Sequence, residues 1–156
     1  RQKCSSLKSR VQVSERNSPK EYCSWQEVES LTRILANKIM SCRKKYDSIL
    51  SITNGGIIPA RLMARELDIN YIQFIQIRNK KLFKEEMPLL NEEKIYLVID
   101  EIYDTGNTFS QVYDAVKTFN CDFAFLISRY KEINSDRIIY VGKILNHNKW
   151  IVFPWE

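Results

Sequence analysis

Apolar positions along this chain follow two alternating rhythms. Between Val28 and Ile39 they fall at 28, 31, 34, 35 and 39, the spacing that lines one side of a helix, with Arg33 and Lys38 off that side. The preceding Ser24-Trp25-Gln26-Glu27 is an S-x-x-E box, which satisfies the free N–H groups of a helix start. Ile49 to Ile52 is strand-like and is closed by Thr53, Asn54, Gly55 and Gly56, after which Pro59 leads into a helix through Arg61 to Leu67. Tyr71 to Ile77 alternates as a further strand. Residues 78–94 are highly charged and contain Pro88, so they read as a mobile loop or a frayed hairpin. Ile95 to Ile99 is a buried strand, expected to surface at Asp100 and Glu101 because a strand interior does not readily hold two adjacent carboxylates. A helix with Phe109, Val112, Ala115, Val116 and Phe119 on one face follows, then strands at Phe123–Ile127 and Ile138–Val141. This alternation predicts an α/β fold, a parallel sheet flanked by helices, with ligands at the carboxyl ends of its strands.

Composition sets the scale. With 156 residues, 44% of them hydrophobic, the chain makes one core. The net charge of +5 suggests a nucleic-acid partner only until it is located. Residues 1–20 hold Arg1, Lys3, Lys8, Arg10, Arg16 and Lys20 against Glu15 alone, so they carry all of it and the rest is neutral. The expected organisation is a basic, disordered extension over 1–20 and a single domain over 21–156. A nucleic-acid-binding module is therefore a weak reading. No run reaches the ~20 apolar residues of a membrane span, and Cys4, Cys23, Cys42 and Cys121 form no CxxC pair. Free thiols in the cytoplasm are expected, with organelle targeting by the Arg- and Ser-rich tail as the alternative.

The chemistry concentrates in Ile95–Thr108, IYLVIDEIYDTGNT. Gly106 lets the main chain approach a ligand, Thr105 and Thr108 add hydroxyls, and the following helix offers unpaired N–H groups and its positive end. That half suits a phosphate. Asp100, Glu101 and Asp104 repel one, so they need sugar hydroxyls, a divalent cation or a proton to act on. Together the halves point to a sugar phosphate with Mg²⁺. The bland alternative is that the acid pair ends a strand and Asp104 caps a helix. The Gly55-Gly56 pair, also just past a strand, is either a tight turn or a second phosphate loop.

Tyr96–Thr108 resembles the phosphoribosyl diphosphate signature of type I phosphoribosyltransferases, with Glu101 where a second Asp is common. Residues 22–77, with SITNGGIIPARLMAREL, and the ending KWIVFPWE are similar to xanthine-guanine phosphoribosyltransferases and their hypoxanthine-accepting relatives. The resemblance implies the type I fold with a small C-terminal base-binding tail or hood. It implies a purine salvage enzyme that converts xanthine, guanine or hypoxanthine and phosphoribosyl diphosphate to the nucleoside 5′-monophosphate and diphosphate, with Mg²⁺, as a dimer or tetramer.

Residue by residue, it gives Asp104 the proton transfer at purine N7 and Asp100 and Glu101 the ribose hydroxyls and the metal. Thr105, Gly106, Asn107 and Thr108 take the 5′-phosphate; Thr53, Asn54, Gly55 and Gly56 take the diphosphate. Trp150 and the main chain at Ile151 receive the base, and Lys131, with Arg129 as competitor, reads its 6-oxo group. Asn54 departs from the family, which usually carries Arg or Lys there, so backbone N–H groups alone, Arg61, or the loop cations Arg78, Lys80, Lys81 and Lys84 are candidates to hold the diphosphate. A non-catalytic sensor of phosphoribosyl diphosphate or a nucleotide on the same fold is the alternative.

Overall fold

The computed structural model describes residues 19–156. The two helical patterns of the first half become α1 (Trp25–Ser41) and α2 (Ile57–Leu67). Ser24 caps α1, its Oγ accepting from Glu27 N at 3.1 Å, a contact worth about 1 kcal/mol. Ahead of α1 lies a short strand, β1 (Lys20–Tyr22), which periodicity did not suggest. It begins inside the stretch read as an extension, and the rest of that stretch, residues 1–18, lies outside the described residues.

The sheet is parallel throughout and contains β2 (Ser48–Ile52), β3 (Ile72–Ile75), β6 (Ile95–Tyr103), β7 (Asn120–Ser128) and β8 (Ile139–Ile144), in the order β3-β2-β6-β7-β8. Alternate strand residues feed two cores. Ile49, Leu97, Ile99 and Leu126 pack with Leu35, Ile39, Ala60 and Met63 of α1 and α2. Leu50, Val98, Phe123 and Phe125 pack with Val112 and Val116 of α3 (Asn107–Val116). Helices on both faces are what near-continuous apolar strands require. The chain leaves β2 for β3 on one side and reaches β6 on the other, so the β2–β6 crevice is the switch point where such sheets bind ligands.

One expectation needs correcting. β6 does not surface at Asp100: it runs on to Tyr103, and Asp100 is only 6% exposed. The strand tolerates the pair because it lies at the mouth of the crevice, where Glu101 N–H donates to Asp100 Oδ1 at 2.8 Å.

Residues 78–94 begin with an ordered hairpin rather than a bare loop. Its strands β4 (Ile77–Arg78) and β5 (Lys81–Leu82) are joined by Asn79 and Lys80, both at positive φ, as tight hairpin turns demand. Gln111 of α3 fastens it, accepting from Leu82 N at 3.0 Å and donating to Lys80 O at 2.7 Å.

Finally, β9 (Trp150–Val152) pairs in parallel with β1, apart from the main sheet. Each strand has only three residues, too few to hold alone. The pair is braced by His147 Nε2 on Glu21 Oε2 at 2.8 Å and by stacking of Phe153 on Trp155 with ring centres 5.0 Å apart; Trp155 also meets Trp25.

Candidate functional site

Two loops meet at the switch point. After β2, Thr53 to Gly56 turns into the start of α2, with the Thr53–Asn54 peptide cis. After β6, Asp104 to Gly106 turns into the start of α3, and Gly106 sits at φ 89°, where only glycine is at ease. Asn107 N–H donates to Thr105 Oγ1 at 3.3 Å, shaping the turn. Asp100, Glu101, Asp104, Thr105, Gly106 and Thr108 line one small cleft.

The two glycines of the first loop have separate reasons for being there. A Cβ at Gly55 would fall 1.5 Å from Glu101 Oε2, so the acid pair lies hard against this loop. A Cβ at Gly56 would sit 2.6 Å from the carbonyl oxygens of both Ile52 and Ile99, wedged between β2 and β6. The spacing of a Gly-Gly pair therefore closes the distance between the two loops. Thr53 contributes differently from its neighbours: its hydroxyl donates to Gln76 Oε1 at 3.0 Å, which leaves a ligand the backbone here rather than the side chain.

The acid pair is electrostatically unsettled. Burial first, then the charge of Glu101, pushes Asp100 well above the usual carboxylate range. Burial also raises Glu101, with a further upward push from Glu156. Glu101 Oε2 is buried without a hydrogen-bond partner. A desolvated carboxylate pair with an orphaned oxygen is a site for a proton, a hydroxyl donor or a cation. Glu156 is a participant that sequence reasoning used only as part of a terminal motif; its closeness to the pair follows from where β9 sits, which no local pattern encodes.

Asp104 does not cap α3; Gly106 holds that position. Its carboxylate, 45% exposed, is gripped by Arg129, whose Nε donates to Oδ1 at 2.7 Å. Arg129 stands just past β7, its side chain 16% exposed, and reaches His147 O at 3.4 Å through Nη1 and Lys149 O at 3.0 Å through Nη2. The cation beside Asp104 is thus Arg129, while Lys131, two residues further, is exposed in the loop. Lys131, which the family resemblance implies as the reader of the 6-oxo group, stands further along the same loop, and sequence spacing does not show which of the two faces Asp104.

Trp150 is 43% exposed, whereas Trp155 packs against the core. In the strand pair, Trp150 N–H donates to Pro19 O and Cys23 N–H donates to Val152 O, both at 2.8 Å. Strand alternation then turns the N–H and C=O of Ile151 away from β1.

Asn54 is exposed at the tip of its loop. Arg61 lies on the exposed side of α2. Arg78 is paired with Glu86 and stacked on Phe83 at 3.8 Å from the ring centre. Among the described residues, no cluster of three His, Cys, Asp or Glu side chains is arranged to hold a metal by itself. A larger cavity of about 570 Å³, bounded by Met40, Arg43 and Leu67, opens at the amino ends of the strands, away from this chemistry, whereas one of about 470 Å³ adjoins the cleft at Thr105, Gly106 and Phe109.

Residues 21–156 match the family model described as the phosphoribosyl transferase domain. Xanthine-guanine phosphoribosyltransferase of Idiomarina loihiensis is 23% identical over 143 residues, covering 86% of each chain. That of Desulfotalea psychrophila is 28% identical over 141 residues, covering 85% of this chain and 84% of its own. The crystal structure of a purine phosphoribosyltransferase from Pyrococcus horikoshii superposes with a TM-score of 0.68 at 26% identity, over 88% of this chain and 94% of that one.

Proposed function

Since the chain belongs to the phosphoribosyltransferase family, we propose that it is a purine salvage enzyme: it joins a 6-oxopurine to phosphoribosyl diphosphate, giving the nucleoside 5′-monophosphate and diphosphate. The observation that carries this reading is the link from Asp104 through Arg129 to the segment entering Trp150. It sets a proton-transfer carboxylate and an aromatic platform with free main-chain groups beside one sugar-phosphate cleft. The names of the two bacterial relatives and the archaeal structure agree with a purine substrate.

The geometry supports these roles. Thr105, Gly106, Asn107 and Thr108, at the start of α3, take the 5′-phosphate on backbone N–H groups and hydroxyls. Thr53, Asn54, Gly55 and Gly56, at the start of α2, take the diphosphate. Asp100 and Glu101 accept from the ribose hydroxyls, and their negative field favours the positive charge that grows on the sugar as the bond to diphosphate breaks. Trp150 offers its face to the base, and the N–H and C=O of Ile151 face its edge. Asp104 receives the proton that the base sheds as its ring nitrogen bonds to C1′. Arg129, paired with Asp104, is the cation this reading favours to meet a 6-oxo group, with Lys131 as the other candidate.

Mg²⁺ fits the acid pair. The orphaned Glu101 Oε2 and the mutual repulsion of Asp100 and Glu101 are what a hard cation relieves, and Mg²⁺ commonly takes one or two carboxylates with the substrate's own oxygens completing its shell. Asp100 and Glu101 would hold it, and it would neutralise charge on the leaving diphosphate. The same reading sets the enzyme in the cytoplasm as a dimer or tetramer, with Cys23, Cys42 and Cys121 as free thiols.

The test supplies phosphoribosyl diphosphate, Mg²⁺ and, in turn, xanthine, guanine, hypoxanthine and adenine. Mononucleotide is expected with at least one of the first three and not with adenine. Measurable binding of phosphoribosyl diphosphate with no turnover of any base would overturn the reading in favour of a sensor.

A further inference from the structure

Arg129 spends its guanidinium in an unusual way for a residue beside a proton-transfer group. Nε goes to Asp104, Nη1 to the carbonyl of His147 and Nη2 to the carbonyl of Lys149. Its own backbone N–H donates to Tyr103 O at 3.1 Å, so main chain and side chain both hold the end of β7 to the residues flanking Asp104. On the far side, His147 is fixed twice: Nδ1 accepts from Lys149 N–H at 3.1 Å, and Nε2 meets Glu21 of β1. The segment entering β9 therefore has two supports, β1 on its outer side and Arg129 on its inner side. Asp104, on a turn, has Arg129 as its charged partner.

We infer that Arg129 is a positioning residue that seats Asp104 and the base-receiving strand β9 as one unit, so that a base lodged on Trp150 meets the carboxylate already aimed. The inference rests on the purine-transferase reading of the site. A guanidinium can do this because its three nitrogens diverge in one plane; a lysine ammonium sits at a single point and cannot span a carboxylate and two carbonyls. An arginine at this position therefore couples the two halves of the site, where a lysine would serve only one. Its remaining N–H groups stay available to the base.

The experiment compares wild type, Arg129→Lys and Arg129→Met, reading kcat, KM for the base and KM for phosphoribosyl diphosphate, together with amide hydrogen exchange over residues 145–152. In Arg129→Met, loss of charge-assisted bonds is expected to raise KM for the base about tenfold and lower kcat about tenfold, with KM for phosphoribosyl diphosphate within about twofold. Exchange over 145–152 should quicken. Arg129→Lys should regain most of kcat, because it restores a charge beside Asp104, without regaining KM for the base or the exchange protection.

Recovery of both parameters and of protection by lysine would overturn the inference, since charge alone would then suffice. So would a methionine variant unchanged in exchange and in KM for the base, or one whose KM rises equally for both substrates. If the wild-type protein transfers no base at all, the site reading itself fails, and exchange that quickens in Arg129→Met would then show a clamp without catalytic meaning, which also overturns the proposal.

Discussion

Replacing Gly55 and Gly56 with alanine, one at a time, should give two unlike defects from the same added methyl group. At Gly56 the new Cβ meets backbone on both sides, 2.6 Å from Ile52 O and Ile99 O, and neither can swing aside without parting β2 from β6. Overpacking of this kind costs about 1–3 kcal/mol where side chains can yield, and the upper end applies where the added group meets backbone on two sides. For a domain of this size each kcal/mol is worth about 2–4 °C, so Gly56→Ala should lower Tm by about 6–12 °C. At Gly55 the Cβ lands 1.5 Å from Glu101 Oε2, the far end of a flexible side chain. Turning that carboxylate outward frees a buried acceptor that has no partner, a gain of about 1–3 kcal/mol against the strain of moving it. Tm should then move by no more than about 3 °C, while the acid pair is broken and kcat/KM for phosphoribosyl diphosphate falls by about a hundredfold. Thermal unfolding and initial rates of mononucleotide formation on both variants decide the matter. Equal losses of Tm, or a Gly55→Ala enzyme with wild-type kcat/KM, would refute the claim that the first glycine serves the acid pair and the second the sheet.

Three further outcomes are expected. Asp104→Asn should lower kcat by about 10²–10⁴ with KM for phosphoribosyl diphosphate nearly unchanged, measured by steady-state kinetics; an undiminished rate would remove the proton-transfer role. Trp150→Ala should raise KM for the base by about tenfold to a hundredfold, the value of about 1–3 kcal/mol of stacking, with unfolding unaffected because Trp155 anchors the segment. Stability should fall as pH rises through the alkaline range. Burial pushes the Cys23 thiol up to about 12 and the Cys121 thiol up to about 11. Burial and the bond to Asp122 push the Tyr46 hydroxyl upward too. Each group keeps its proton in the folded state after the unfolded chain has lost it, so its contribution is whole below its unfolded value, about 8.5 for the thiols and about 10 for the tyrosine, and is lost as pH climbs from there toward the folded value. Denaturant titrations between pH 8 and 11 should show a shallower loss for Cys121→Ala than for wild type.

The main sheet was legible because its strands are apolar runs that stop at glycine and its helices carry apolar faces at helical spacing. Strand ends were less so. Periodicity ended β6 at Ile99, yet Asp100 lies buried inside it, because a functional crevice holds a carboxylate that an ordinary core would not. β1 and β9 carry no period at three residues each; their pairing depends on chain separated by almost the whole domain. The same limit explains Arg129. A motif names residue types near Asp104, but which cation faces it depends on where β7 releases the chain, and the loop between β7 and β8 absorbs the difference. Glu156 was present in the terminal motif, while its field on Glu101 appears only once the chain has folded back.

The pairing of Lys20 with Trp150 closes a loop of about 130 residues. Contacts so remote in sequence form late, since the entropy of bringing their ends together is recovered only when the structure between them exists. A ribosome adding about 5–20 residues per second needs roughly 7–26 s to travel from one strand to the other. Through that interval the two phosphate loops can already be assembled while the platform for the base has no partner. A nascent chain would then acquire affinity for the phosphorylated sugar before it acquires any for the purine, and competence for transfer would arrive only once β9 is made and paired with β1.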